Sequence, residues 1–390
     1  MCKTCDARAA DAGRRSVLAG AAGMAAATLS PAAAQAQPSG ASARSVRAYG
    51  ATSADGPVIP MEVRRRALRD DDIAIDILYC GVCHSDIHSI RGEWGKVQYP
   101  FVAGHEFVGR VTAVGQSVTR LKVGDIAGVG CLVDSCGTCA NCQVGLEQYC
   151  LDGNTQTYGS PDKISGGRTQ GGYSEHIVVR ERFVVRVPDG ADLPSTAPIL
   201  CSGVTTFSPQ QHWKLQKGQR FAVIGLGGLG HMGLKLAVAK GARATVFTST
   251  PDKVADARRM GAADVIVWKP GTDTPVEQAD HLANSFDFML STVPEGYSIA
   301  PFLPMLALNG TFVNVGAPGS LGEIAGSGLW RQRRSVASSI IGGMPETQEV
   351  VDFCVSHNIR PDHIRETFDR VKGKQARYRF VIDLTSNRAA

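Results

Sequence analysis

The segment Phe221 to Gly241, FAVIGLGGLGHMGLKLAVAKG, constrains the fold more than any other stretch of this chain. Its first four residues are a short apolar run of the kind that forms a buried parallel strand. Glycines follow at 225, 227 and 230, the G-x-G-x-x-G spacing, and apolar residues then recur with a helical period. A strand that turns sharply into a helix uses the first glycine for the turn. The second lets backbone approach a pyrophosphate, and the third lets helix and strand pack closely while the helix N-terminus faces the phosphate charge. Gly225, Gly227, Gly228, Leu229 and Gly230 are therefore candidate dinucleotide contacts. Glycine-rich turns are common, and it is the position between a strand and a helix that gives this one its weight.

The surrounding pattern extends the argument. Strand-like runs at 244–248, 265–267, 286–290 and 311–315 alternate with helical stretches through 195–333, predicting an α/β unit with a doubly wound parallel sheet. Residues 44–194 read differently. Short apolar runs broken by glycine, among them 73–78, 107–114, 177–179 and 183–187, predict an irregular β-barrel. Residues 334–390 hold a helical segment and a last strand at 378–383 without a further βα repeat, so they are assigned back to the barrel domain. A chain of 390 residues is long enough for two full-sized cores.

Residues 1–37 are expected to be a targeting segment. Arg14-Arg15-Ser16-Val17-Leu18 precedes an Ala/Gly-rich, weakly apolar run, and Ala34-Gln35-Ala36 fits a small-residue cleavage site. This pattern resembles a twin-arginine export signal, a route for proteins already folded around their cofactors, and it implies a periplasmic destination, or a cytoplasmic one if the signal is not used. The apolar run is too short and too weakly apolar for stable membrane insertion. Four basic and two acidic residues lie in this segment, so three of the five net positive charges belong to the remainder. No dense basic run interleaved with aromatics occurs, which argues against nucleic acid as a partner.

Cys2 and Cys5 lie in the segment to be removed, leaving nine of the 11 cysteines. Cys136, Cys139 and Cys142 fall three apart and Cys150 follows eight residues later, a pattern that fits a closed tetrahedral zinc site within a lobe at 131–151. Disulfides formed after export are the alternative, the weaker one because bound thiolates resist oxidation and a chain exported folded acquires its metal first. Cys83, in GVCHSDIH, His105, in GHE, and Cys201, in LCSGVTT, supply two thiolates and one imidazole. That is the donor set that leaves a tetrahedral zinc with an open fourth position. Cys80, Cys131 and Cys354 remain and are read as buried apolar residues.

The stretches GVCHSDIH, GHEFVGRV, VGDIAGVGCLVDSC, GLEQYC, GGYSEHIVV, ILCSGVTTFSP, GLGGLGHMGLKLAVAKG, IGGMPETQEVVDFC and YRFVID run from about residue 45 to 385. Through them the chain resembles the zinc-dependent medium-chain alcohol dehydrogenases, and within them the cinnamyl alcohol dehydrogenase-like aldehyde reductases. The resemblance implies a GroES-like barrel domain, a catalytic zinc on Cys83, His105 and Cys201, and a structural zinc on the four lobe cysteines. It gives Glu106 as a carboxylate that either stands behind the ligands or exchanges onto the metal, Asp86 as a residue orienting the metal site, and Ser85 and His88 as the relay carrying a proton to solvent. It also places Thr205 beside the nicotinamide, Arg379 near the pyrophosphate and His84 near cofactor phosphate. A dimer or tetramer built through the nucleotide domain is expected.

The dinucleotide is read from the second strand of the sheet. An NAD enzyme carries an acid about twenty residues past the glycines, to accept from the ribose 2′-OH. Here the strand tip reads Thr248-Ser249-Thr250-Pro251-Asp252-Lys253, with no acid at the tip itself. Ser249, Thr250 and Lys253 suit a 2′-phosphate, so NADP(H) is expected, although Asp252 weakens that selectivity. The alternative is that the hydroxyls cap the following helix. The activity implied is interconversion of primary alcohols and aldehydes by hydride transfer, with zinc as the Lewis acid. A polyol dehydrogenase-like activity is the rival within the superfamily, and Cys201 argues against it, since polyol enzymes typically place a glutamate there. An exported, non-catalytic zinc- or dinucleotide-binding protein is the rival from another class. Trp94, Tyr99, Leu132 and Ile341 are expected to line an apolar substrate pocket.

Overall fold

The computed structural model of the chain describes residues 42–268, 280–316, 319–366 and 378–385. The expected export signal, with Cys2 and Cys5, lies outside the described residues.

The long strand Asp72–Val82 organises the first half of the molecule. One edge pairs antiparallel with Phe107–Val114 along nearly its whole length. The other edge changes partner midway, pairing with His176–Arg180 at residues 72–76 and with Arg379–Asp383 at residues 79–82. A strand that exchanges neighbours in this way bends its sheet around a core, and Ile73, Ile75 and Ile77 are fully buried inside. Ile126–Val129 and Val185–Arg186 extend the sheet beyond Phe107–Val114. A strand from the far end of the chain, Arg379–Asp383, is thus built into the irregular barrel expected from the broken apolar runs.

The second half is a six-stranded parallel sheet. Its order is Asp264–Val267, Arg243–Thr248, Arg220–Ile224, Phe286–Ser291, Leu306–Asn314 and Ser335–Ser338. The direction of progression reverses between the third and fourth of these, and an open parallel sheet binds its ligand at such a switch point, outside the carboxyl ends of the strands. The expected limit of this domain at 333 falls short. Ser335–Ser338 pairs in parallel with Leu306–Asn314 and belongs to the sheet. A four-residue edge strand, half-exposed and without apolar alternation, gives too little pattern to be read from sequence.

Between barrel and sheet run the helix Leu193–Pro198, a π-helical turn Ile199–Gly203 and the helix Val204–His212. Leu200, Phe207, Met232, Leu236, Val350 and Cys354 form one buried cluster with Val108 of the barrel. This shared core holds the two sheets together at the level where the functional side chains meet.

Candidate active site and metal centres

Cys83 caps the helix His84–Ile90, and the side chain of Asp86, three residues on, accepts the Cys83 backbone N–H at 2.8 Å. The same carboxylate, 1% exposed, accepts the Gly104 N–H at 3.0 Å and the Tyr173 hydroxyl at 2.8 Å. Its Oδ1 also lies 3.0 Å from His105 Nδ1. A histidine whose Nδ1–H is given to a carboxylate presents Nε2 as a lone-pair donor, and such a partner fixes ring orientation. His105 Nε2 lies 3.1 Å from Cys201 Sγ. Cys201 sits at the centre of the π turn, a distortion that commonly marks functional sites and that periodicity alone did not reveal.

Cys83 Sγ and Cys201 Sγ are 3.9 Å apart, and with His105 and Glu106 they offer four donor atoms within 4.8 Å of one another. Around a tetrahedral zinc, two thiolate sulfurs stand about 3.8 Å apart and a sulfur and a nitrogen about 3.5 Å apart. The cluster fits that cage. Glu106 is fully buried, with one oxygen on the Arg379 guanidinium and the other, Oε1, without a hydrogen-bond partner among the described residues. Burial pushes its carboxyl up to about 8 in spite of Arg379. An orphaned carboxylate oxygen beside two thiols and an imidazole is the mark of a cation site. The Cys83 thiol is pulled well down by its hydrogen bond with Cys201, while Cys201 is pushed up by its hydrogen bonds with Cys131 and Cys83.

Ser85 Oγ lies 3.5 Å from Cys83 Sγ. His88, one helical turn further, gives Nδ1 to the Glu93 carboxylate and stacks on Trp94 with ring centroids 4.9 Å apart. Both residues are half-buried. His84 is exposed, its ring 6.4 Å from that of His88. The expected pocket residues divide. Leu132 is buried in the barrel core with Tyr99 and Ile341 packed against the same cluster, whereas Trp94 is exposed over His88.

The four lobe cysteines also bring their sulfurs within 4.8 Å of one another, and all nine described cysteines are free. Cys136 and Cys142 sulfurs are 3.9 Å apart, against about 2.05 Å in a disulfide. Backbone N–H groups of Cys139 and Leu151 point at the sulfurs of Cys136 and Cys139, at 3.3 and 3.4 Å. Those of Leu151 and Cys142 pull the Cys139 thiol down to about 6. Burial pushes the Cys142 thiol the other way, up to about 11, so Cys139 is the lobe sulfur most ready to lose its proton, as zinc demands of its ligands.

The glycine turn has the geometry its spacing predicts. Gly225 adopts φ +90°, and a Cβ on Gly230 would stand 1.8 Å from the Gly225 carbonyl oxygen, so close packing excludes any side chain there. Gly227 faces open space. Leu229 caps the helix Gly230–Ala239. Lys253 Nζ reaches back from the second strand's tip to donate to the Leu226 carbonyl at 2.9 Å, and Ser249 and Thr250 lie at the same tip. Thr205 is buried on the helix following Cys201. Arg379 Nη1 would stand 2.9 Å from a Cβ on Gly228, so the residue does reach the turn, but its guanidinium is paired with Glu106 as well. Sequence reading missed that pair, because 273 residues separate the partners. It also misread Cys131, which is only partly buried. Cys80 and Cys354 are fully buried in apolar cores, as expected.

A two-domain fold with a thiolate–imidazole cluster beside a dinucleotide turn defines a zinc- and nucleotide-dependent oxidoreductase. Residues 69–189 match the alcohol dehydrogenase GroES-like domain family and residues 228–356 the zinc-binding dehydrogenase family. The NADP-dependent alcohol dehydrogenase C 1 of Mycolicibacterium smegmatis is 47% identical over 353 residues, covering 88% of this chain and 99% of that protein. Aldehyde reductase YahK of Escherichia coli is 46% identical, covering 87% and 98%. The solved structure of a cinnamyl alcohol dehydrogenase, SbCAD4 from Sorghum bicolor, superposes with a TM-score of 0.81 at 38% identity, covering 87% and 98%. The chain belongs to the zinc-binding alcohol dehydrogenase family and is an oxidoreductase of that class. Among the described residues, no helix is long and apolar enough to cross a membrane.

Proposed function

We propose that this protein is a zinc- and NADP(H)-dependent alcohol dehydrogenase acting chiefly as an aldehyde reductase. The observation that carries the reading is the convergence of Cys83, His105 and Cys201 at the domain junction, within one protein fold of the Gly225–Gly230 turn. These three side chains would hold the catalytic zinc, with Glu106 as the exchangeable fourth donor, and Cys136, Cys139, Cys142 and Cys150 the structural zinc. Bound zinc supplies a Lewis acid that polarises a carbonyl, and bound NADPH supplies the hydride. Asp86 holds His105 in the tautomer that donates from Nε2. Ser85 Oγ, beside the cluster, delivers the proton that the product alcohol needs, and His88, at the edge of solvent with Glu93 on its Nδ1, replenishes it. Lys253, Ser249 and Thr250 read the 2′-phosphate, a reading supported by Lys253 already lying against the glycine turn. Thr205 borders the nicotinamide end and Arg379 the pyrophosphate.

The decisive experiment is zinc analysis of the purified protein together with NADPH oxidation on a panel of aliphatic and aromatic aldehydes. Two zinc ions per chain and turnover are expected. Cys83→Ser or His105→Asn abolishes turnover and leaves NADPH binding, and undiminished activity in either variant refutes the assignment.

Residues 1–37 act as a twin-arginine export signal in this reading, placing the folded enzyme in the periplasm. Lysine substituted for both Arg14 and Arg15 is expected to shift the protein from the periplasmic to the cytoplasmic fraction. A homodimer or homotetramer is the expected assembly, and sedimentation of the purified enzyme tests it.

A further inference from the structure

Tyr378 immediately precedes the strand Arg379–Asp383 of the barrel domain, yet its side chain belongs to the nucleotide domain. It is 5% exposed and packs in one buried cluster with Leu226 of the glycine turn and Val246 of the second strand. Three residues of that domain surround the ring. The Tyr378 hydroxyl donates to Asp256 Oδ2 at 2.9 Å, and the other oxygen of that carboxylate is paired with Arg259 at 2.8 Å. The His231 imidazole stacks on the ring at an interplanar angle of 17°. The third residue is Lys253, whose Nζ stands over the ring, 5.5 Å from its centroid. The same ammonium donates to the Leu226 carbonyl at 2.9 Å. An aromatic face is negative, and a cation within about 6 Å of its centre is attracted to it.

We propose that Tyr378 is a positioning residue for coenzyme choice, its ring holding the Lys253 ammonium at the strand tip where it reads the 2′-phosphate of NADPH. The inference rests on the reading of Lys253 as a phosphate contact. A lysine is a compact charge on a flexible four-carbon stem. Freezing that stem as coenzyme arrives opposes binding, and an anchor already in place lowers the cost. The Leu226 carbonyl is one anchor and the Tyr378 ring the other. The ring attracts the ammonium without neutralising it, so the charge keeps its pull on an anion. A carboxylate in the same place would compete with the phosphate. NADH carries a hydroxyl where NADPH carries that phosphate, so the effect of the ring falls on NADPH. The aromatic face, and not the hydroxyl bonded to Asp256, is the part of Tyr378 that acts.

The test is a fluorescence titration of the zinc-loaded protein with NADPH and with NADH, followed by displacement with adenosine 2′,5′-bisphosphate and with adenosine 5′-monophosphate. Tyr378→Leu should weaken NADPH about 3–30-fold more than NADH, the range for a cation on a largely desolvated aromatic face, and the bisphosphate more than the monophosphate. Combined with Lys253→Ala, it should bring no further loss of preference. Tyr378→Phe, which loses the Asp256 bond and keeps the face, should retain the wild-type preference. Phenylalanines with successive ring fluorines at position 378 keep the shape and drain the face of negative charge, so the preference for NADPH should fall stepwise along that series. Equal losses for the two coenzymes in Tyr378→Leu overturn the proposal, as does a preference that stays level along the fluorinated series. A Tyr378→Phe protein as impaired as Tyr378→Leu overturns it too, by giving the role to the hydroxyl. Should Tyr378→Leu fail to fold, the fluorinated series decides the matter, since it preserves the packing against His231. Lys253→Ala alone separates the two readings. If it weakens NADPH and NADH alike, the phosphate assignment itself fails; if it weakens NADPH selectively and Tyr378→Leu does not, only the role of the ring fails.

Discussion

Arg379, in the last strand of the chain, is buried against Glu106, the residue that follows the histidine of the metal cluster. The pair joins the C-terminal strand of the barrel domain to the Cys83–His105–Cys201 cluster, and the same guanidinium reaches the glycine turn at Gly228. A single side chain therefore connects the donor cluster, the glycine turn and the C-terminal strand of the barrel domain.

Removing one partner of a buried ion pair leaves an uncompensated charge, at a cost of about 3–5 kcal/mol. Arg379→Met should lower the urea midpoint of the zinc-loaded enzyme accordingly, and Arg379→Met combined with Glu106→Gln should recover part of the loss. A double variant no more stable than the single one argues against the pair as the cause.

Asp86 makes four hydrogen bonds, one of them to His105. Asp86→Asn removes the charge that sets the tautomer of His105, and loss of such a partner weakens metal affinity about 10–100-fold. Competition with a chelator of known affinity measures it. Tyr173→Phe deletes only one of the four bonds and should fall well short of that effect.

Lys253 offers a charged donor at the strand tip. Charge-assisted hydrogen bonds contribute about 1.5–3 kcal/mol, so Lys253→Ala should raise the KM for NADPH about 10–150-fold more than that for NADH. Equal changes in the two Michaelis constants remove the argument for a phosphate site.

His231, in the first turn of the nucleotide helix, is fully buried and stacks on Tyr378 with ring centroids 5.2 Å apart. Burial holds its imidazole down at about 3, below the usual value near 6.5, so between these values the unfolded chain binds the extra proton. Its contribution to stability is present above about pH 6.5 and is lost as pH falls toward 3. About 2 kcal/mol should go between pH 6.5 and pH 5. Thermal unfolding across that range should be flatter in His231→Gln than in the parent protein, and parallel slopes would dismiss the effect.

The parts legible in the sequence were those with short-range causes. Glycine spacing at 225, 227 and 230 is dictated by a strand that must turn at once into a helix, and the structure has that turn. Three cysteines three residues apart, with a fourth nearby, meet because the loop between them is short. The parallel sheet was readable from apolar runs, except for Ser335–Ser338, which is too short and too exposed to leave a pattern. Cys131 was misread because its burial depends on how the Gly130 loop packs against Leu200, distant in sequence.

The sequence by itself determined the two domains' textures, the nucleotide turn and the kinds of donor atoms available, since each follows from local backbone geometry or side-chain chemistry. Tertiary structure decided which donors meet. Cys83 and Cys201 lie 118 residues apart in the chain and their sulfurs 3.9 Å apart in space. That distance is set by a helix cap, a π turn and the packing of the barrel on the shared buried cluster. Contacts of this separation arise from cooperative packing of whole elements, which no local pattern encodes.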